Sequence, residues 1–273
     1  AWIQGIAPDT GQSVALNLAT TGKRGAVTLL VEVDPAGRVA EMFKSNNVYT
    51  TALFVETDTV APHYDITFDG NHVVNGDFVS PKPTILILVY DNSPLPIGSA
   101  TNVSLLLDSR PVNLGTSPDS MFQAGSGPEK ARVTYRPALG EGNHTLSFQV
   151  RDASGNISDT TMEQIQFTVE TAAKLLDVFN YPNPFRQDTY FTFNLTGSTV
   201  PQILRVKIYT VAGRLVQELD AYEPDLRIGF NQVHWDGRDR DGNEVANGVY
   251  FYKVSFSAGS ESAEAIQKLA KVR

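Results

Sequence analysis

Apolar and polar residues alternate with a period of two along most of this chain, the spacing of a half-buried β-strand. The pattern is strongest over 249–256, where Tyr250, Tyr252, Val254 and Phe256 share one face and Phe251, Lys253 and Ser255 the other. Near the start it predicts strands over 13–19 (Val14, Leu16, Leu18), 27–33 and 48–55. Further strands follow over 64–68, 103–108, 131–136, 144–151 and 164–169, and then over 190–195, 203–210, 215–219, 229–235 and 265–272. Residues 84–90 are almost continuously apolar, which predicts a central strand buried on both faces. Turn residues stand where strands must reverse: Asp34 to Gly37, Asp69-Gly70-Asn71, Val211 to Arg214, and Asp239 to Asn243.

Strands at hairpin spacing with no helical period predict an all-β chain of tandem immunoglobulin-like β-sandwiches. A short, polar, proline-bearing stretch over 56–62 reads as a linker. The expected organisation is a partial β module over 1–58, a sandwich over 59–171 and a second sandwich over 172–273. The first stretch has three predicted strands against the roughly seven of a full sandwich, so it reads as part of a module. Hydrophobic residues at 41% and charged residues at only 19% suit this turn-rich β class. A formal net charge of -8 argues against a phosphate-binding surface and so against a nucleic-acid partner. No apolar run reaches the roughly 18–20 residues needed to span a bilayer, and 1–11 has neither the basic start nor the apolar centre of a signal peptide. With zero cysteines, a thiol nucleophile, a thiolate metal site and disulfides are excluded within these residues.

Candidate chemistry is sparse, and no catalytic residue, cofactor site or metal site is assigned. His63, His72, His144 and His234 are separated by strands and turns, with no pair at ligand spacing. His144 falls in phase with core residues and reads as a satisfied, half-buried histidine. Asp239, Asp241, Gly242 and Asn243 resemble a calcium loop superficially. Aligning Gly242 with the EF-hand glycine puts Gly237 and Gly248 where the acidic ligands belong, so that motif fails and only a nonstandard calcium site stays open. Gly125-Ser126-Gly127 lacks the strand-to-helix setting of a nucleophile elbow. Asp236 and Asp239 are too close in sequence for a glycosidase pair. Trp2 and Trp235 with nearby tyrosines could stack on sugars, although Tyr250 and Tyr252 fit a core face better.

Three stretches carry resemblances. The run Val31 to Glu41 followed by Ser45, Asn46 and Asn47 resembles the second half of a CARDB-type module, a bacterial cell-adhesion-related sandwich. That resemblance implies that its remaining strands lie upstream or come from another chain, which opens a route to homotypic association. A plainer reading is that Asn46 and Asn47 cap a turn. Leu139 to Leu146, running into the turn Asp152-Ala153-Ser154-Gly155-Asn156, resembles bacterial immunoglobulin-like repeats. Most specific is an ordered series: Pro182, Asn183, Pro184 and Phe185; Gly213, Arg214 and Val216; Trp235, Asp236 and Gly237; and Gly248, Val249 and Tyr250. Together they resemble the C-terminal sorting domain of type IX secretion cargo, related to the immunoglobulin-like domain of flagellar hook-capping proteins.

The sorting-domain resemblance implies a secreted or cell-surface protein of a Gram-negative bacterium, carried through the periplasm and across the outer membrane by a translocon that reads the folded C-terminal domain. It also implies a sortase that removes the domain and joins the cargo to anionic lipopolysaccharide. The middle and last stretches resemble the region downstream of the catalytic domain in gingipain-like peptidases, which makes this segment non-enzymatic and places any cysteine peptidase domain upstream. Two other functions fit the same strands: permanent structural or adhesive modules of a surface stalk, and carbohydrate-binding accessory modules.

Overall fold

A computed structural model describes residues 10–20, 23–159, 161–223, 225–259 and 261–273. Trp2 and most of 1–11 lie outside the described residues. The chain is all-β, as its patterning predicts, and it divides into the units Ala1–Thr59 and Val60–Arg273.

The described residues of the first unit hold one antiparallel hairpin. Strand β1 (Gly25–Glu32) pairs with β2 (Val48–Val55), from Gly25 opposite Val55 to Glu32 opposite Val48. Val27, Leu29 and Val31 take the half-buried positions of β1, but no described residue of this unit is fully buried. The strand expected over 13–19 does not form: residues 10–20 carry no regular structure, and Val14, Leu16 and Leu18 are exposed. Alternation specifies a strand only where an edge and an apolar face receive it, and a lone hairpin gives little of either. In the connecting loop the Asp34 carboxylate accepts the N–H groups of Arg38 at 2.9 Å and Val39 at 2.8 Å, and these bonds hold it below the usual carboxylate range. Asn47 caps this loop, its side chain donating to Glu41 at 2.5 Å.

The second unit contains two sandwiches. In the first, β3 (His63–Phe68), β5 (Ile85–Tyr90), β10 (Glu129–Tyr135), β9 (Ser120–Ala124) and β8 (Thr116–Ser117) form one sheet in that order. Facing it are β4 (Asp77–Val79), β12 (Glu163–Val169), β11 (Gly142–Val150), β6 (Val103–Leu107) and β7 (Arg110–Pro111). Ile85, Ile87 and Val89 meet Leu146, Phe148 and Val150 in the core between them. The central place expected for β5 is correct, since it lies between β3 and β10, but its burial is not two-sided. Leu86, Leu88 and Tyr90 are half-buried, because one side of the sheet is covered by the facing sheet and the other only by neighbouring side chains.

The last sandwich packs β13 (Leu175–Tyr181), β14 (Thr189–Leu195) and β17 (Gly229–Trp235) against β16 (Leu215–Tyr222), β15 (Ile203–Thr210), β18 (Gly248–Ala258) and β19 (Glu261–Lys271). Tyr252, Val254, Phe191, Phe193, Leu204 and Val206 are essentially inaccessible. Burying each such side chain stabilises the fold by about 1.5–3 kcal/mol relative to exposure. The sandwiches meet where β17 begins. Gly229 adopts φ 97°, and a Cβ there would lie 2.8 Å from the Phe78 carbonyl of the other sandwich. Beside it Arg227 donates to the Asn71 side chain at 2.8 Å and to the Phe230 carbonyl at 2.8 Å.

Two predictions follow from these contacts. Gly229→Ala must strain a left-handed residue and push Phe78 away, which costs about 1–3 kcal/mol in urea unfolding. The second concerns His144, whose ring stacks on Phe167 and whose Nδ1 and Nε2 face Asp108 at 2.8 Å and the Gly140 carbonyl at 2.9 Å. Both neighbours are acceptors, so only the protonated ring donates to both. Desolvation opposes that charge, yet the bonds to Gly140 and Asp108 outweigh it and raise the pKa above 6.5. Asp108 is lowered from 3.8, its desolvation outweighed by the bonds from His144 and Thr145. The histidine contribution is complete below pH 6.5 and is lost as pH rises through the raised folded value. The aspartate contribution is lost only as pH falls below 3.8. Calorimetry from about pH 5 to about pH 8 should show declining stability, and His144→Gln should flatten that decline.

Candidate functional site

Antiparallel pairing gathers one set of strand ends. Tyr181 pairs with Tyr190, Thr189 with Trp235, Thr210 with Tyr250, and Gly248 with Lys271. The segment 182–188, the turn 211–214 and the loop 236–247 therefore lie at the same end of the last sandwich. All four motif segments singled out in the sequence converge there, at the end opposite Gly229.

The segment after β13 leaves one sheet and joins the edge of the other. Tyr181-Pro182 and Asn183-Pro184 are both cis. Buried Asn180 donates to the Pro182 carbonyl at 3.2 Å and to Thr189 Oγ1 at 3.0 Å, and Thr189 donates to the same carbonyl at 2.9 Å. Asn183 then takes the place of a strand residue: its Oδ1 accepts the Ala270 N–H at 3.0 Å, and its Nδ2 donates to the Lys268 carbonyl at 3.3 Å. A side-chain amide can do this because it carries the same donor and acceptor as a peptide group. Phe185 continues the edge with true backbone bonds, donating to Ala270 and accepting from Val272, each at 2.9 Å. Pro184 can sit between them because an edge residue need not donate.

Phe185 is fully buried, its ring centroid 5.3 Å from that of Trp235. Trp235 stacks on Phe191 and donates its Nε1–H to the Arg238 carbonyl at 2.9 Å. Gly237, at φ 70°, has no room for a Cβ, which would lie 2.7 Å from the Gln187 carbonyl and 3.1 Å from the Phe185 ring. The sequence reading missed Lys271. Its side chain is only 2% exposed, and its Nζ donates to the Arg186 carbonyl at 2.5 Å, meets Glu244 at 2.9 Å and lies 5.1 Å from the Phe185 ring centroid. The signal was its phase, since Lys271 shares the inward alternation of Leu269.

The motif residues divide into those that build this end and those that it presents. Val216, Tyr250, Phe185, Trp235 and Gly237 are buried, and the Tyr250 hydroxyl donates to the Ala246 carbonyl at 2.7 Å. Gly213 supplies the left-handed corner at φ 83°, and Gly248 starts β18 at φ 153°. Pro182, Asn183, Pro184, Arg214, Asp236 and Val249 are exposed. Among the described residues Arg214 and Arg186 make no ion pair, whereas Arg238 pairs with Asp236 at 3.7 Å and Arg240 with Glu218 at 3.8 Å.

In the loop considered for calcium, Asp239 Oδ1 accepts the N–H groups of Asp241 at 3.0 Å and Asn243 at 2.9 Å. Its geometry is that of a polar loop closure. The histidines are each engaged separately: His63 with the Tyr90 ring, His72 with Asp65, His144 with Asp108, and His234 with Asp188. Trp235, Tyr250 and Tyr252 are buried and cannot stack on a sugar. Of the exposed aromatics, Phe179, Tyr181, Tyr190 and Phe230 lie together on the outer face of the β13-β14-β17 sheet.

Residues 180–260 match the family model of the FlgD Ig-like domain. No curated protein matches the chain. Similar solved structures include dimeric latent PorU from Porphyromonas gingivalis, 22% identical, with a TM-score of 0.34 over 84% of this chain and 23% of that one. PorZ, described as an essential bacterial surface component of the type-IX secretion system of the same organism, is 16% identical, with a TM-score of 0.29 over 89% of this chain and 27% of that one. The fibronectin(III)-like modules of Clostridium thermocellum CbhA are 10% identical, with a TM-score of 0.27 over 76% of this chain and 93% of that one. The chain thus spans 23% and 27% of the PorU and PorZ chains that it matches.

Lys271→Met keeps the buried stem but leaves the Arg186 carbonyl without its donor, so stability should fall by about 1–3 kcal/mol in urea unfolding. Glu244→Gln, at the exposed end of the same pair, should change it little.

Proposed function

We propose that the last sandwich is the export signal of a secreted or cell-surface protein of a Gram-negative bacterium, and that a type IX translocon reads its motif end as a folded surface. The convergence of 182–185, 213–216, 235–237 and 248–250 on one end of the sandwich carries this reading. Eight of the thirteen motif residues are exposed on that end and the other five are buried beneath it, which is the division expected of a surface that must be folded to be recognised. The match of 180–260 to an immunoglobulin-like family model supports a noncatalytic module. In this reading the chain is the accessory end of a larger cargo, and a sortase exchanges the last sandwich for anionic lipopolysaccharide.

A second reading rests on a different observation. Phe179, Tyr181, Tyr190 and Phe230 leave aromatic rings exposed on one sheet face, as in a carbohydrate-binding module. It requires a saturable glycan interaction that Tyr181→Ala weakens.

Deleting residues 172–273 should leave the protein in the periplasm, and undiminished surface delivery would overturn the export role. Arg214→Glu alters only the presented surface. It should reduce delivery several-fold while leaving the unfolding midpoint unchanged. Mass spectrometry of the surface-delivered protein should find Arg273 removed if the sortase acts.

A further inference from the structure

Edge strands of a sheet expose unpaired backbone groups, and folded proteins cover, bend or charge them. The last sandwich deals with three of its four edges. A bulge between Leu176 and Phe179, with Asp177 at φ 52°, breaks the outer line of β13. The start of β17 lies against Phe78 of the middle sandwich. The Val216 carbonyl on β16 accepts the Arg240 N–H at 3.2 Å, and Gln217 donates to the carbonyls of Arg238 and Asp239.

Strand β19 is covered only in its last part. Ala270 turns its N–H and C=O away from β18, to Asn183 and Phe185. Alternation then turns the N–H and C=O groups of Ser262, Glu264 and Ile266 the same way. Among the described residues nothing hydrogen-bonds to them. The side chains of Ser262, Glu264, Ile266 and Lys268 share the exposed face, with Ile266 60% exposed.

This stretch is self-complementary about Ile266. Two antiparallel copies related by a two-fold axis through that residue place each Ile266 opposite its counterpart, and each Glu264 opposite Lys268 of the other copy. The two Ile266 residues can exchange both backbone bonds, and each Lys268 N–H reaches a Glu264 carbonyl while Asn183 keeps the Lys268 carbonyl. Lys253 already meets Glu264 within one copy, so that carboxylate would sit between two cations. Moving the two-fold axis to Glu264 instead sets Glu264 against itself, which like-charge repulsion disfavours.

We infer that the free edge over 262–268 is a homotypic docking surface, through which two copies of this chain join their four-stranded sheets in antiparallel register centred on Ile266. The interface is isologous. It is also short, so the dimer is a weak, concentration-dependent one. The inference does not depend on the export role.

Sedimentation equilibrium of the chain over a dilution series tests it. A monomer–dimer equilibrium is expected, with Lys268→Glu weakening dimerisation about tenfold or more by setting Glu264 against a second carboxylate. The double variant Glu264→Lys/Lys268→Glu should restore the dimer, because the pairs are then inverted but again complementary. Ile266→Pro should abolish it while leaving the β18–β19 ladder intact, since the N–H it removes points outward. A monomer at every concentration would overturn the inference. So would a dimer indifferent to Lys268→Glu, or one lost in the single variant and not regained in the double.

Discussion

The last sandwich depends on the joint at which the chain leaves one sheet and enters the other. Without it, the end of β19 would carry unpaired backbone groups and Trp235 would face water. Asn183 supplies a peptide-like donor and acceptor, Phe185 adds true backbone bonds, and the Phe185 ring then covers Trp235. Lys271 completes the joint from the far end of the chain segment, its ammonium bonded to the Arg186 carbonyl and Glu244. A buried ammonium is tolerated here because two oxygens and an aromatic face replace its water. Closure of this end also explains why Gly237 must be a glycine: its neighbours occupy the place of a Cβ.

Much of the strand content was legible because period-two alternation is strong where both an edge and a core receive it. Strands β5, β11, β14, β15 and β18 all show it, and each has neighbours on both sides; β17 shows it too, as an edge strand whose inner face meets the core. Alternation failed over 13–19, where among the described residues no apolar layer receives Val14, Leu16 and Leu18. It also gave no warning of β4, β7 and β8, which are two or three residues long and too short to show a period. Strand β13 was hidden differently. Its bulge at Asp177 shifts the phase between Leu176 and Phe179, so its inward and outward residues do not follow one register.

The candidate site was legible as a set of motifs but not as a place. Residues as distant as Pro182 and Tyr250 could be named one by one, yet only strand pairing brings their turns together. Lys271 shows the limit of residue type as a guide. A lysine near a chain end suggests a solvated charge, and its phase with Leu269 was the only sign that it points inward. The exposed aromatics were missed for the converse reason: Phe179 and Tyr190 look like core residues in sequence, and only the sheet topology reveals an uncovered outer face.

The contact of Gly229 with Phe78 has a mechanical meaning. It clamps β17 to the middle sandwich at its first residue, while Trp235 anchors the opposite end of the same strand beneath the motif loops. A strand of seven residues is about 23 Å long. It acts as a stiff strut between the two attachment points. A load applied at the motif end would run along this strand to the residue that abuts the middle sandwich, so the path of force between the two sandwiches includes the strand and not the connecting chain alone.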